Sequence, residues 1–301
     1  MEIEFNREPN RDNRPPRRPV KRKKRGAINR LPRKTRRILM VIAGLLAIAL
    51  IITLIATPIS CASRNAAKNK AAAESSEPAS EAVQTSAKPT SHQVNGIPLI
   101  KQDYFKAGCE TYACTMLLQG LGYNIDEYEF VDNYLIIRSM SYDENGTMYG
   151  PDMDSAFAGD IFTGHGINCP AMAKSMNQYL DTQPKGQHAY AIKGKTLEEL
   201  CTMYIDRNIP VMTWVTTYMD ESYVRFSWIV DYVDENSQHQ IGDQVDWRQG
   251  EHCMVLIGYT DTEYIFNDSV AGEVVKHDKA LAEKRFLEIG QQAVAVETKL
   301  F

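Results

Sequence analysis

Glu251-His252-Cys253-Met254-Val255-Leu256-Ile257-Gly258-Tyr259 carries no charge from Cys253 onward and is apolar on both of its alternating faces. A short run of that kind suits a central strand covered on both sides. Tyr264-Ile265-Phe266-Asn267 follows across the short connection 260–263 and reads as the next strand, with Val211 to Thr217 and Ala293 to Glu297 as two more. Upstream the period changes. Cys109, Ala113, Met116, Leu117 and Gly120 recur at helical spacing and predict a helix over 109–121, closed by Gly120 and Gly122. Ala171 to Leu180 and Thr196 to Asn208 read as two further helices. Gly96 to Gln102 reads as a short extended strand, turned at Lys106-Ala107-Gly108, and Leu135 to Met140 as a helix or short strand. Five glycines and Pro151 mark Tyr142 to Cys169 as a long loop. Helices gathered early and strands gathered late indicate an α+β fold.

The whole chain of 301 residues is 44% hydrophobic and 24% charged, the composition of a folded protein with a core. Its net charge of −4 hides a division: residues 1–37 hold fifteen Lys or Arg against four Asp or Glu, a net of +11, and the remainder sums to −15. Directly after the basic run, Ile38 to Pro58 has no ionisable residue. About 20 apolar residues cross the roughly 30 Å hydrocarbon layer, so one transmembrane helix is expected over 38–58. The Lys21–Arg25 and Arg30–Arg37 clusters would hold its N-terminal side in the cytoplasm. The expected location is the cell membrane, single-pass, with a basic cytoplasmic tail at 1–37 and the folded part outside. A nucleic-acid patch is the competing reading of the basic run, and Pro58-Ile59-Ser60-Cys61 loosely resembles a lipoprotein cleavage site. Residues 59–94, rich in Ala, Ser, Lys, Glu, Thr and Pro, bury too little to offset ordering entropy and read as a flexible stalk. The folded domain is then 95–301, with a net charge of −16 that disfavours nucleic acid as a partner.

Cys109 opens the first predicted helix, where the positive end of the dipole favours thiolate and a nearby imidazolium favours it further. Gln102 can set its side-chain amide beside the Cys109 N–H, giving two donors for the oxyanion of a tetrahedral intermediate. A lone Cys at a helix start is more often structural, and a His in a central strand is usually a satisfied core residue. The functional reading gains from Asp268, sixteen residues after His252 and able to accept its Nδ1–H. The register sets a condition on that pair. In a symmetric hairpin Tyr259 opposes Tyr264, so Asp268 opposes Val255 and faces away from His252, while Asn267 shares the His252 face. Asp268 then serves only if the hairpin has an odd loop or a bulge, or if Asp268 lies beyond the pleated pairing. The last is favoured, with Asn267 as the alternative.

Gly108-Cys109-Glu110, Ala156-Phe157-Ala158-Gly159-Asp160, Gly164-His165-Gly166-Ile167-Asn168-Cys169-Pro170, Pro210-Val211-Met212-Thr213-Trp214, Glu251 to Tyr259, Asn267-Asp268 and Gly290-Gln291-Gln292-Ala293 together resemble the C39-like peptidases. These are papain-fold cysteine peptidases related to the proteases that cut double-glycine leader peptides. The resemblance spans about residues 95 to 297 in one order. It implies a nucleophile helix packed on an antiparallel sheet, a peptide or protein substrate and no cofactor. By the same resemblance Cys109 is the nucleophile, His252 the general base and then acid, Asp268 the orienting residue and Gln102 the oxyanion donor, with Gly108 and His165 placed to touch substrate. Ser269 stands where the family often has Pro, which leaves that loop less rigid, and the absence of a transporter segment argues against leader processing coupled to export. Two other readings keep the fold: an amidase acting on cell-wall peptide cross-links, and a non-catalytic domain that captures a partner protein.

Other residues invite blander explanations. A surface-loop His165 needs no function, Trp214 in a strand is expected to pack in the core, and Asp231 to Glu235 reads as a solvated surface. With Cys109 free, Cys114, Cys169, Cys201 and Cys253 allow three full disulfide pairings outside the cytoplasm, although Cys114 and Cys253 also suit apolar packing. No paired CxxC or HxxxH spacing occurs, so no metal is expected.

Overall fold

The computed structural model describes residues 90–235 and 237–298. The predicted tail, transmembrane helix and most of the stalk lie outside the described residues. Among the described residues no helix is long and apolar enough to cross a membrane.

The strands are β1 (His92–Gln93), β2 (Ile137–Arg138), β3 (Ser141–Tyr142), β4 (Met148–Pro151), β5 (Phe157–Ala158), β6 (Gln187–Lys193), β7 (Val211–Thr216), β8 (Tyr223–Tyr232), β9 (Gln244–Gln249), β10 (Glu251–Tyr259), β11 (Glu263–Asp268), β12 (Glu273–Asp278) and β13 (Gln292–Thr298). The α-helices are α1 (Cys109–Gly120), α2 (Glu127–Asn133), α3 (Cys169–Leu180), α4 (Leu197–Met203) and α5 (Lys279–Glu288). The main sheet is antiparallel, in the order β12-β11-β10-β7-β13-β6, with β1 paired to the far end of β10. A smaller sheet runs β3-β4-β8-β9, and β2 pairs with β5.

The predicted buried strand is β10, and its alternation divides the core. Cys253, Val255 and Ile257 pack with α1, α2 and α3 on one face, together with Met212, Trp214 and Val294. Met254 and Leu256 pack on the other face with Val211, Val215 and Ala293, under Leu197 and Leu200 of α4 and Phe286 of α5. Helices on both faces explain why no residue from Cys253 to Tyr259 is charged.

Trp214 is fully buried and donates from Nε1 to the carbonyl of Ile167 at 2.9 Å, tying the sheet to the 142–168 segment. Replacing Trp214 by Ala removes that bond and leaves a large cavity. The expected cost is about 3–5 kcal/mol, read as a lower urea midpoint at unchanged slope.

Several expectations need correction. Gly96 to Gln102 forms no strand, and the chain enters the sheet earlier through β1. Val94 is buried and donates to the Ile257 carbonyl at 2.7 Å, so the domain takes in residues that composition assigned to the stalk. Thr196 to Asn208 is not one helix: Thr196 caps α4 through a capping box with Glu199, and a separate 3-10 turn follows at Ile205–Arg207. The 142–168 loop holds β4 and β5, and β4 finds its parallel partner in β8, some 80 residues later. Among the described residues no disulfide forms: Cys109, Cys114, Cys169, Cys201 and Cys253 are all buried thiols, and none of the three pairings is made. Asp234 and Glu235 are ion-paired to Lys174, at 2.7 and 2.8 Å.

Candidate active site

Cys109 is the first residue of α1, 8% exposed, and Gly108 before it caps the helix without a side chain. A Cβ on Gly108 would lie 3.0 Å from Phe105 Cβ and 3.1 Å from Ile161 Cδ1, so close packing accounts for that glycine. The Cys109 thiol donates to Glu110 Oε2 at 3.3 Å, and Glu110 Oε1 accepts the Ile167 N–H at 2.9 Å. Glu251, at the start of β10, adds a second carboxylate: the Cys109 sulfur and an oxygen from each of Glu110 and Glu251 lie within 4.8 Å of one another. Gly166 lets the two acids come together. Its φ is +94°, and a Cβ there would stand 2.7 Å from Glu110 Oε1 and 3.4 Å from Glu251 Oε2.

Sequence reasoning expects a thiol drawn toward thiolate. The reverse holds. Burial first, then the charges of Glu110, Glu251 and Cys253, push the Cys109 thiol well up, opposed by the backbone N–H of Cys253 beside the sulfur. Burial also raises Glu110 against the hydrogen bonds it accepts, and burial followed by the Glu110 charge raises Glu251 strongly. Glu251 is only half-buried as a residue, but its Oε1 is sealed from solvent and accepts no hydrogen bond.

His252 and Asp268 do meet. His252 Nε2 lies 2.8 Å from Asp268 Oδ1, with the residues 1% and 2% exposed. The expected donor was Nδ1–H. With Nε2 turned to Asp268, Nδ1 is the nitrogen left over. Asp268 Oδ1 also accepts from Val270 N at 2.8 Å and Ala271 N at 3.2 Å. Burial alone would raise Asp268, but the bonds from His252, Ala271 and Val270 outweigh it and hold the carboxyl below its usual range.

Asp268 reaches His252 by two of the routes anticipated. It ends β11 and pairs with Glu273 of β12, but the pairing of β11 with β10 stops at Asn267, so Asp268 lies beyond that pairing. A bulge supplies the shift: Tyr259 opposes Tyr264 and Gly258 opposes Ile265, but Leu256 opposes Phe266 and Val255 opposes Asn267. The extra residue in β10 moves Asp268 onto the His252 face and Asn267 off it. Asn267 instead donates to the carbonyls of Ile97 and Pro98 at 3.4 and 3.3 Å.

Cys109 and His252 are not hydrogen-bonded to each other. The alternation of β10 carries Cys253 toward α1 and Met254 toward the opposite face, and His252 between them is close enough to act on Glu110. The two nevertheless flank one segment of backbone, because the Cys253 N–H that meets the sulfur belongs to the residue after His252. The pairing of β10 with β11 ends at Val255, so His252 has Asp268 beside it rather than a paired strand residue.

Gln102 is likewise engaged. Its Nε2 donates to the carbonyls of Phe105 and Lys106, both at 3.0 Å, so its side chain braces the turn into α1. Ser269 does not loosen its loop as expected: its hydroxyl donates to Gln102 Oε1 at 3.1 Å and its carbonyl accepts the Gln102 N–H at 2.7 Å. His165 sits in an aromatic cluster, with ring centroids 5.0 Å from Phe226, 5.9 Å from Trp228 and 5.2 Å from Trp247. Burial lowers its pKa and favours the neutral ring. It lines a cavity of about 260 Å³ with Ile167, Trp247, Arg248 and Glu251, so the cavity adjoins the thiol–carboxyl cluster.

The family model of the Peptidase C39 like family matches residues 94–294, two thirds of the sequence and nearly all of the domain just described. The chain belongs to the C39-like peptidase family. Among solved structures, a protein from Bacillus anthracis assigned as a C39-like peptidase is similar, with 20% identity, a TM-score of 0.57, and coverage of 70% of this chain and 99% of that one. At that identity the likeness speaks for the fold. The peptidase domain of Streptococcus ComA, a bifunctional ABC transporter of a quorum-sensing pathway, is also matched, at 10% identity and a TM-score of 0.38, over 67% of this chain and 99% of that one. No curated protein matches the sequence. A cysteine-peptidase type of function, with a peptide or protein as substrate, follows from the family and fold.

Glu110 and Glu251 are the residues that sequence reasoning passed over. Each stands beside a residue it singled out, one directly after Cys109 and the other directly before His252. An acid next to both members of a suspected pair was the available signal.

Proposed function

We propose that the protein is a membrane-anchored cysteine peptidase whose domain faces outward, with Cys109 as nucleophile and the His252–Asp268 pair as its proton machinery. The observation that carries the reading is the buried His252 Nε2 to Asp268 Oδ1 contact of 2.8 Å in a C39-like domain that also carries a helix-start cysteine. Asp268 orients the ring through Nε2 and stabilises its charged form, leaving Nδ1 for the reacting side. Nδ1 of His252 is the nitrogen that would exchange a proton with the Cys109 sulfur. Cys109 attacks the scissile carbonyl, His252 protonates the leaving amine, and water then hydrolyses the thioester. In the oxyanion role Gln102 releases one of its two carbonyls. Hydrolysis of a peptide library by the purified chain, lost on thiol alkylation at Cys109, is the expected result; a chain that cleaves nothing yet retains a bound partner protein would point to the capture domain instead.

Anchoring rests on the uncharged run 38–58 behind a +11 tail. Deleting residues 1–89 should move the protein from the membrane fraction to the soluble one. Continued sedimentation with membranes contradicts the anchor.

A further inference from the structure

The cavity that adjoins the thiol–carboxyl cluster has an aromatic wall fixed in advance. The Trp247 ring stacks on Phe226 at 5.0 Å, and its Nε1 donates to the His165 carbonyl at 2.7 Å. Ile167 and Ile289 add apolar surface. At about 260 Å³ the space lies below the roughly 300 Å³ at which pockets for whole drug-sized ligands begin, and it suits a single side chain.

Most polar groups around the cavity are already engaged. Gln292 accepts the Cys169 N–H and donates to Asn168 Oδ1 and the Ile289 carbonyl, all at 3.0 Å, while Asn168 donates to Asp154 at 2.8 Å. Glu288 is ion-paired with Arg285 at 2.5 Å. Asp246 accepts the Ser227 hydroxyl at 2.7 Å, and Arg248 donates to the hydroxyl and carbonyl of Ser222 at 3.0 and 3.2 Å. The charges of Asp246 and Arg248 offset each other. Glu251 differs: its Oε1 accepts no hydrogen bond, and among the described residues it forms no ion pair. The unbalanced acid therefore stands at the end nearest the nucleophile, with its carboxyl oxygen, Glu110 and the Cys109 sulfur within 4.8 Å of one another.

We propose that this cavity is the specificity pocket of the peptidase site and that Glu251 selects a peptide with a cationic side chain, Lys or Arg, beside the scissile bond. The inference rests on the peptidase reading above. The aliphatic stem of such a side chain would lie against Ile167 and Ile289, with Trp247 offering an aromatic face to its charged end. The ammonium or guanidinium supplies the donor and the countercharge that the Glu251 carboxyl lacks. Burial and the neighbouring Glu110 hold the empty carboxyl toward its neutral form, and a cation beside it favours the charged one, so binding and ionisation go together. The net charge of −16 on residues 95–301 draws cationic peptides to the domain and acts in the same direction.

The test compares kcat/KM of the full chain for peptides identical except for Lys, Arg, norleucine or Glu at the residues flanking the cleaved bond. The wild type should favour Lys or Arg over norleucine on the order of 10²-fold, and should cleave the Glu peptides least. Glu251→Gln should reduce the Lys-to-norleucine ratio by about tenfold or more. Because the ratio is taken within each protein, a general loss of activity in the variant cancels. A second measurement needs only the wild type: n-pentylamine should inhibit hydrolysis of the norleucine peptide more strongly than n-pentanol, which has the same chain without the charge. Hydrolysis with a ratio near one, a ratio unchanged in Glu251→Gln, or equal inhibition by the two small molecules overturns the pocket's role and leaves the peptidase reading standing. A wild-type chain that cleaves none of the peptides overturns both.

Discussion

Cys109→Ala is expected to abolish peptide hydrolysis, a loss on the order of 10⁴-fold or more, while the domain stays folded. The sulfur is the atom that forms and breaks the covalent bond, so no neighbour can replace it. Cys109 lies at the edge of the core rather than in its centre, at 8% exposure against none for Cys114 and Cys253. Ala suits a helix start and removes one thiol hydrogen bond, so stability should change by about 1 kcal/mol or less. Thiol counting separates the effects: the variant should lose one adduct of a peptidyl electrophile and retain its thermal midpoint. Undiminished hydrolysis would remove Cys109 from the mechanism.

Asp268→Asn should be the next most damaging change. An amide oxygen still fits the 2.8 Å space beside His252 Nε2, but it brings no charge to stabilise the imidazolium, and its NH₂ face competes for the same position. A fall in kcat on the order of 10²-fold or more is expected. The same substitution changes the response to acid. The folded-state value of Asp268 is lowered, so its contribution to stability is complete above the unfolded value of about 3.9 and is lost as pH falls through the folded value. The variant should therefore lose less stability than the wild type on acidification below about pH 4. Asn267→Ala is the control: Asn267 bonds to Ile97 and Pro98 and does not touch His252, so hydrolysis should change little. If Asn267→Ala were the more damaging of the two, the register argument would fail.

Much of the domain was legible because its strongest patterns are local. The two-faced apolar run of β10 announced a covered central strand, and helical spacing announced α1 and α3 to within two residues. What escaped notice depends on distant partners. β4 is held by β8, and Val94 is buried under a sheet whose other strands begin after residue 186; neither is visible in a short window. The pairing of His252 with Asp268 was the instructive case. Parity counting stated correctly that an unbroken hairpin would separate them, but a bulge at one residue cannot be located by counting, and it decided which of Asn267 and Asp268 faces the ring. The protonation of Cys109 was misjudged for a related reason. A helix dipole is implied by sequence position, whereas the burial that chiefly raises the Cys109 thiol, and after the adjacent Glu110 the charge of Glu251, come from the packing of α1 against β10.

The most direct test of the central claim is an acid quench of the wild-type chain during turnover of a peptide it cleaves, followed by mapping of the acyl fragment by mass spectrometry. The account predicts one thioester per chain, on Cys109 alone among the five cysteines of the domain, and no such species in Cys109→Ala. Hydrolysis that continues at full rate in Cys109→Ala, or an acyl fragment carried by any other residue, would contradict it.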